Sequence, residues 1–478
     1  MNSGEGMGSG RTRFSSCATQ RLAVALVLGC ASAAAADRPP IAITDVAVVD
    51  VEAGRIVAPR TVLVADGRIV AVDAPSNVAV PDDAQHVDGR ARFLIPGLVD
   101  AHVHLFNNVT HRPPNTWSFP LYVANGVTGV REMAAVPASM PIVSQWRAAI
   151  AGGTLVAPRI LAAGVVAWGP SPDEAAHQVD LAADAGADFV KVFSELSEPA
   201  WRAVLEAAHR RSLRVMGHVP AGVGAVAAAE AGERSEEHLM QVFEACSTIE
   251  RSALDARRGL AGNALVAQRD ADESRVLAAF DRDTCDRTAA ALARAGEAQV
   301  PTLVLDYVES RPRHADPSRD PRWKYLRADE HVRWQRFTDA LTPAERDVAA
   351  KRWAVATKIV AALHRAGVPI LAGTDSPMPD VYPGYALHDE LERLVDSGLA
   401  PAEALRAATL APAMFLGIDH ESGTVAAGKR ADLVLLDADP LRDIRNTRRI
   451  DAVVLDGRVF TRAALDRLLA DAARNSGG

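Results

Sequence analysis

From about Leu94 to Leu416 the chain alternates short apolar runs with alanine-rich stretches of helical length, and few folds accommodate such a pattern. The runs are Phe93–Asp100, Val127–Arg131, Arg159–Ala163, Phe189–Phe193, Arg214–His218, Arg234–Leu239, Val300–Leu305 and Pro369–Asp375, eight in all. Stretches such as Glu198–Arg211 and Pro343–Ala366 read as the helices between them. A strand that returns to the same sheet through a helix pairs in parallel, and eight such units close into a (β/α)8 barrel. The stretches Glu244–Ala298 and Tyr307–Leu341 exceed what a crossover needs and predict extra helices over the barrel mouth.

The two ends have another texture. Ile41 to Val87 alternates in short β-like runs, with Asp66-Gly67 as a hairpin signal, and similar runs return at Ala431–Leu436 and Ala452–Phe460. Both ends therefore combine into one small β-sandwich domain. The expected division is 1–36 as an export signal, 37–93 and 421–465 as the two halves of the β domain, 94–420 as the barrel, and 466–478 as a terminal helix. The signal reading rests on Arg11, Arg13 and Arg21 before the apolar run Leu22–Leu28, followed by Ala34-Ala35-Ala36. That run is too short for a stable membrane span. It predicts a periplasmic or secreted protein, with lipidation at Cys30 as a variant. After removal of residues 1–36, Cys246 and Cys285 remain, and their pairing stays open.

Composition serves mainly to exclude. Hydrophobic residues are 49% and charged residues 23%, the balance of a globular chain rather than a disordered one. A net charge of -8 offers no basic surplus for nucleic acid or anionic lipid.

Barrel active sites lie where the strands end. The first run ends in Asp100-Ala-His102-Val-His104, the fourth carries Lys191, the fifth ends at His218, the sixth at His238 and the eighth at Asp375. Residues two apart in a strand share a face, so His102 and His104 can reach one metal, and neutral imidazole suits zinc. Lys191 is flanked by apolar residues in Phe189-Val-Lys-Val-Phe193. Burial and neighbouring cations disfavour its ammonium form. Neutral lysine can take up carbon dioxide as an anionic, bidentate carbamate able to bridge two metals.

These motifs resemble the amidohydrolase superfamily, in the branch of imidazolonepropionase-like hydrolases and Xaa-Pro and Xaa-Arg/Lys dipeptidases. The resemblance rests on Leu94–His104, Gly126–Glu132, Gly186–Lys191, Gly217-His218, Glu237-His238, Ala372–Ser376 and Gly423–Leu435. It implies one divalent metal on His102, His104 and Asp375, a second on His218 and His238, and Lys191 as a bridging N6-carboxylysine. It further implies hydrolysis of an amide bond in a small molecule, a dipeptide or N-acyl amino acid, by a metal-bridging hydroxide, with Asp375 moving the proton. His388, Arg131, Tyr382 and Tyr385 are expected to touch substrate. A homo-oligomer is compatible with the sequence. His111, His177, His314, His331, His364 and His420 are read as surface or helix residues. Val219-Pro220 and Ala167–Pro170 depart from dipeptidase relatives. A mononuclear deaminase of the superfamily is the rival, opposed by Lys191 and by Ala221, where such enzymes carry glutamate. A non-catalytic barrel scaffold is a second rival, opposed by the complete ligand set.

Overall fold

Alternation at the N-terminal end becomes the strands β1 (Ile41–Asp50), β2 (Arg55–Ala65), β3 (Arg68–Asp73), β4 (Gln85–Asp88) and β5 (Phe93–Pro96) of a computed structural model. It describes residues 38–106, 114–311 and 317–476. The export-signal and Cys30 readings lie outside these residues, as do His111 and His314. Asp66 and Gly67 both take positive φ, 51° and 71°, the geometry of the tight hairpin turn between β2 and β3.

The barrel sheet follows, with β6 (Leu98–Val103), β7 (Val127–Ala135), β8 (Arg159–Val166), β9 (Phe189–Val192), β10 (Arg214–Gly217), β11 (Glu233–Glu237) and β12 (Ala298–Val300). All neighbours pair in parallel, in the order β12-β11-β10-β9-β8-β7-β6. The chain end adds β13 (Leu433–Leu436), β14 (Ile450–Leu455) and β15 (Arg458–Thr461) to the first sheet, in the order β15-β14-β13-β5-β1-β2-β3. The two ends thus share one sheet, joined where β13 pairs with β5. Alternation decides which core each residue enters. Leu433, Leu435 and Val454 join Ile43, Val64 and Leu94 in the core of the end sheet. Val434, Leu436 and Val453 face the barrel core with Ile95. Each such burial stabilises by about 1.5–3 kcal/mol, and strands buried on both faces read as continuous apolar runs.

Three expected strands change. Phe93–Asp100 is two strands: Gly97 N–H donates to Asp432 O (2.7 Å) and Leu98 N–H to Gly126 O (3.0 Å), so the chain changes sheets there. Val300–Leu305 contributes only Val300 to β12, because Pro301 lacks a ladder donor and Thr302 turns left-handed (φ 46°), starting the helix Leu303–Ser310. Pro369–Asp375 closes the barrel by separate bonds instead of a full ladder. Leu371 N–H donates to Gln299 O (3.0 Å) and Ala101 N–H to Ala372 O (2.9 Å), and Asp375 then leaves extended geometry at φ 62°.

The helices begin on local capping chemistry. Thr342 and Glu345 form a reciprocal capping box on Pro343–Ala366, which stops at left-handed Gly367. Ser197 caps Glu198–Arg210, burying Trp201, Val204, Ala207 and Ala208 on one stripe. The first long insertion supplies the helices Glu250–Ala256, Gly262–Ala278 and Arg282–Ala295; the second contains Ala328–Ala340. The terminal helix is Arg462–Ser476. Among the described residues no helix is long and apolar enough to cross a membrane.

Cys246 and Cys285 are disulfide-bonded, with Cα atoms 4.0 Å apart across 39 residues of sequence. Closing a loop of that length removes roughly 4 kcal/mol of unfolded-state entropy. The double variant Cys246→Ser/Cys285→Ser is therefore expected to lose several kcal/mol of stability, measured by urea unfolding beside the oxidised protein.

Candidate metal centre and active site

Strand alternation carries His102 and His104 to the same side of β6, and they meet Asp375 there. Asp375 Oδ1 lies 2.7 Å from His104 Nε2 and 3.2 Å from His102 Nε2. One ligand atom from each of the three residues falls within 4.8 Å of the others, close enough for one ion. The imidazoles continue as a chain: ring centroids are 5.3 Å apart for His102–His104, 4.7 Å for His102–His238 and 4.9 Å for His218–His238. His218 also packs edge-on against Phe193 at 4.7 Å.

Several of these residues depend on unusual backbone. His238 (φ 66°), Thr302 (φ 46°) and Asp375 (φ 62°) are left-handed, a conformation costly for L-residues and concentrated at functional sites. His238 Nδ1 pairs with Thr302 Oγ1 at 2.7 Å, so its Nε2 remains for the centre. On the other side, His102 Nδ1 pairs with Glu237 Oε2 at 2.7 Å. Glu237 in turn accepts from Arg131 Nη2 at 2.9 Å to both oxygens and from Ser235 Oγ at 2.6 Å. Asp100 accepts from the Thr374 hydroxyl (2.6 Å) and backbone N–H (3.0 Å), tying the end of β6 to the segment that carries Asp375.

Lys191 is wholly buried, and its Nζ hydrogen-bonds to no described residue. The buried His102 Nε2 faces Asp375 Oδ1 at 3.2 Å, without hydrogen-bond geometry. Nζ lies 5.3 Å from the Phe193 ring centroid. Burial lowers the ammonium pKa to about 8, against the opposing pull of Glu237 and Asp375. Burial, with Lys191 and the other imidazoles, holds His218 well below the ordinary histidine range and takes His238 down to about 3. Both imidazoles are neutral at physiological pH, the form that binds metal. For Asp375 burial acts upward, but His104 and His102 outweigh it and keep the carboxylate ionised. A buried amine without a hydrogen-bond partner among the described residues, beside neutral imidazoles and a carboxylate, fits a divalent metal centre rather than a self-satisfied polar core.

The fit has little tolerance at Gly217. Its φ of 142° is unfavourable for other residues, and an added Cβ would touch the Val192 carbonyl and come 2.9 Å from Lys191 Cδ. Gly217→Ala is expected to lower stability by about 1–3 kcal/mol and reduce bound metal, measured by melting temperature and metal analysis.

A cavity of about 550 Å³ opens on the centre, lined by His104, His218, His238 and Asp375 and by Phe193, Met240 and Phe243. Val276 and Leu277 of the inserted helix Gly262–Ala278 cover it.

Of the six expected ligands, His104, His218, His238 and Asp375 line the cavity, His102 meets Asp375 and His238, and Lys191 is buried on β9, whereas the expected substrate residues do not reach the cavity. His388 is buried, its ring nitrogens bonded to Thr447 Oγ1 (2.9 Å) and Asn125 O (3.0 Å). Arg131 is taken up by Glu237 and the Ala101 carbonyl inside the barrel. Tyr382 packs against Trp334 (4.8 Å) and Arg322 (4.4 Å), and Tyr385 stacks on Tyr325. Both tyrosines follow Asp375 in sequence, but their aromatic neighbours hold them away from the cavity. Of the other histidines, His331 stacks on Trp323 and His364 meets Glu403 at 3.2 Å.

Sequence reading missed Glu237 and Thr302, which orient two of the imidazoles. Glu237 also neutralises buried Arg131, so Glu237→Ala is expected to cost about 3–5 kcal/mol. Losing the carboxylate that orients a metal ligand is expected to weaken metal binding roughly 10–100-fold. Denaturant unfolding and competitive metal titration measure the two effects.

The sequence profile of the amidohydrolase family matches residues 93–460, which contain the barrel and every candidate ligand above. The chain belongs to the amidohydrolase family. Two solved amidohydrolase-fold structures align over most of this family member. A putative prolidase from Bifidobacterium longum is 26% identical, covering 91% of this chain and 99% of its own, with a TM-score of 0.62. A bottromycin amidohydrolase is also 26% identical, covering 93% and 92%, with a TM-score of 0.68. Among curated relatives, adenine deaminase 2 of Agrobacterium fabrum is 44% identical over 84 residues, 17% of this chain and 14% of that protein. The chain thus spans about a seventh of that relative's length.

Proposed function

We propose that this amidohydrolase cleaves the amide C–N bond of a small molecule, a dipeptide or N-acyl amino acid. In this reading one divalent ion is held by His102, His104 and Asp375 and a second by His218 and His238. Lys191, carboxylated, is shared between them, and the imidazole-rich donors favour zinc. The observation that carries the reading is Lys191 Nζ, buried without a hydrogen-bond partner at the end of a strand beside the ligands. When bound, the two ions supply a water of lowered pKa and polarise the scissile carbonyl.

The chain's residues then have separate tasks. Asp375, ionised and held by two imidazoles, accepts a proton at its carboxylate from the attacking water and delivers it to the departing amine nitrogen. Glu237 and Thr302 keep His102 and His238 in the tautomers that leave Nε2 free. The apolar wall of Phe193, Phe243, Val276 and Leu277 reduces the water around the reacting carbonyl. Ala221 leaves no acid where the deaminase rival needs one, and its backbone is committed to Ser194 O at 3.0 Å.

The same proposal has the enzyme act outside the cytoplasm after removal of residues 1–36; the Cys246–Cys285 disulfide supports an oxidising compartment. The test of the reaction is metal analysis with a substrate panel. The expected result is two metal ions per chain, with hydrolysis of dipeptides or N-acyl amino acids that stops on chelation and returns with zinc. A protein that holds one ion, or none, and hydrolyses no amide would overturn the proposal.

A further inference from the structure

Three arginines line the cavity over the imidazoles, and their partners differ. Arg352 is surrounded by Glu273 (2.6 Å), Asp306 (2.7 Å) and Glu309 (2.5 Å). Arg333 is bonded to Glu330 (2.8 Å) and the Pro377 carbonyl (3.0 Å). Arg269, on the inserted helix Gly262–Ala278, has a looser set. Its carboxylate partner is the adjacent Asp270, also on the cavity wall, whose Oδ1 accepts from both Nε (3.0 Å) and Nη2 (2.7 Å) and whose side chain is 61% exposed. Glu244, another acid on the cavity wall, is occupied by Arg257 at 2.6 and 2.9 Å.

The guanidinium itself turns inward. Arg269 Nη1 donates to Ser194 Oγ (3.1 Å) and lies 3.6 Å from Met240 Sδ. Ser194 follows Lys191 by three residues and Met240 follows His238 by two. One terminal nitrogen of Arg269 is therefore anchored to the two strand ends that carry Lys191 and His238. An exposed ion pair with a neighbouring side chain is worth only about 0–1 kcal/mol, so Asp270 is an exchangeable partner. A carboxylate arriving in the cavity gains a planar, two-pronged donor in a drier setting.

We infer that Arg269 is the specificity-determining residue of this site and reads a free carboxylate on the substrate. The preferred substrates are thus anionic amides, with the carboxylate on the same small molecule as the scissile bond. This rests on the amide-hydrolase reading above, whose dipeptides and N-acyl amino acids carry an acid, and deepens it by naming the residue that reads that acid. Arg131, in the middle of β7, is excluded from that task by its burial against Glu237.

The test uses the metal-loaded full chain and matched pairs of ligands: N-acetyl amino acids with apolar side chains, each beside its neutral C-terminal amide. Binding is measured by calorimetry and hydrolysis by amine release. Wild type is expected to prefer the acid of each pair. Arg269→Ala should lose roughly 10- to 100-fold for the acids, the range for a charge-assisted hydrogen bond, and so abolish the preference. Most of the loss should appear in KM rather than kcat. Arg269→Lys, which keeps the charge without the fork, should fall between. Metal content and melting temperature equal to wild type establish that the variants are folded. A wild type without acid preference in binding, or a preference that survives in Arg269→Ala, overturns the inference. The two proposals separate cleanly. Acid-selective, Arg269-dependent binding without hydrolysis sinks the reaction but keeps the carboxylate site; hydrolysis indifferent to Arg269 does the reverse.

Discussion

Lys191→Met is expected to abolish hydrolysis while making the metal-free protein more stable. The side chain is fully buried, its nitrogen hydrogen-bonds to no described residue, and it stands near the Phe193 ring and within the electrostatic reach of His218, Glu237 and Asp375. Removing a shared ligand should leave fewer than two ions bound. Loss of Lewis-acid stabilisation worth several kcal/mol lowers the rate by roughly 10³-fold or more. The stability effect has the opposite sign. Lys191 titrates near 8 in the folded chain, against an ordinary 10.5. That depression is a folding burden of about 3 kcal/mol at pH 7, because the unfolded chain binds the proton more tightly. The burden is fully present below about pH 8 and is relieved as pH rises toward 10.5. Methionine, similar in length and uncharged, avoids it. Urea unfolding of the chelated proteins at pH 7 and pH 10 should show Lys191→Met ahead at pH 7 and the gap narrowed at pH 10. Equal stability at both values would mean that the ammonium finds a partner in solution.

The second large effect concerns Asp375. Asparagine accepts the left-handed backbone that this position requires, φ 62°, more readily than most residues. Its amide oxygen still faces His102 and His104, so Asp375→Asn is expected to fold and to retain most of its metal. It cannot accept a proton at neutral pH. The expected fall in kcat is roughly 10²–10⁴-fold, the range for removal of a general acid–base group. Metal content near two ions per chain together with a near-wild-type rate would remove the proton-transfer role and leave Asp375 a ligand only.

Local pattern had already revealed much of this centre. His102 and His104 are spaced for a strand, and Lys191, His218, His238 and Asp375 follow at the spacing of barrel strands; those intervals are set by covalent geometry. The shells around them were not visible. Glu237 was part of a motif without a task, since its partners His102 and Arg131 come from β6 and β7 and are set by the barrel's shear. The family resemblance points His388 at substrate, yet the fold turns it onto Thr447 and Asn125. Arg269 sits in a polar stretch of helix where nothing local separates it from any surface arginine.

The sequence alone determined the barrel class, the union of the two chain ends in one β unit and the candidate ligands at the strand ends, because periodicity and residue chemistry are local properties. Tertiary structure alone decided that the eighth stave is held by separate bonds, that Arg131 and His388 serve the interior, and that Cys246 meets Cys285. Those outcomes depend on which distant segments arrive at the same place, and close packing decides that only when the whole chain has folded.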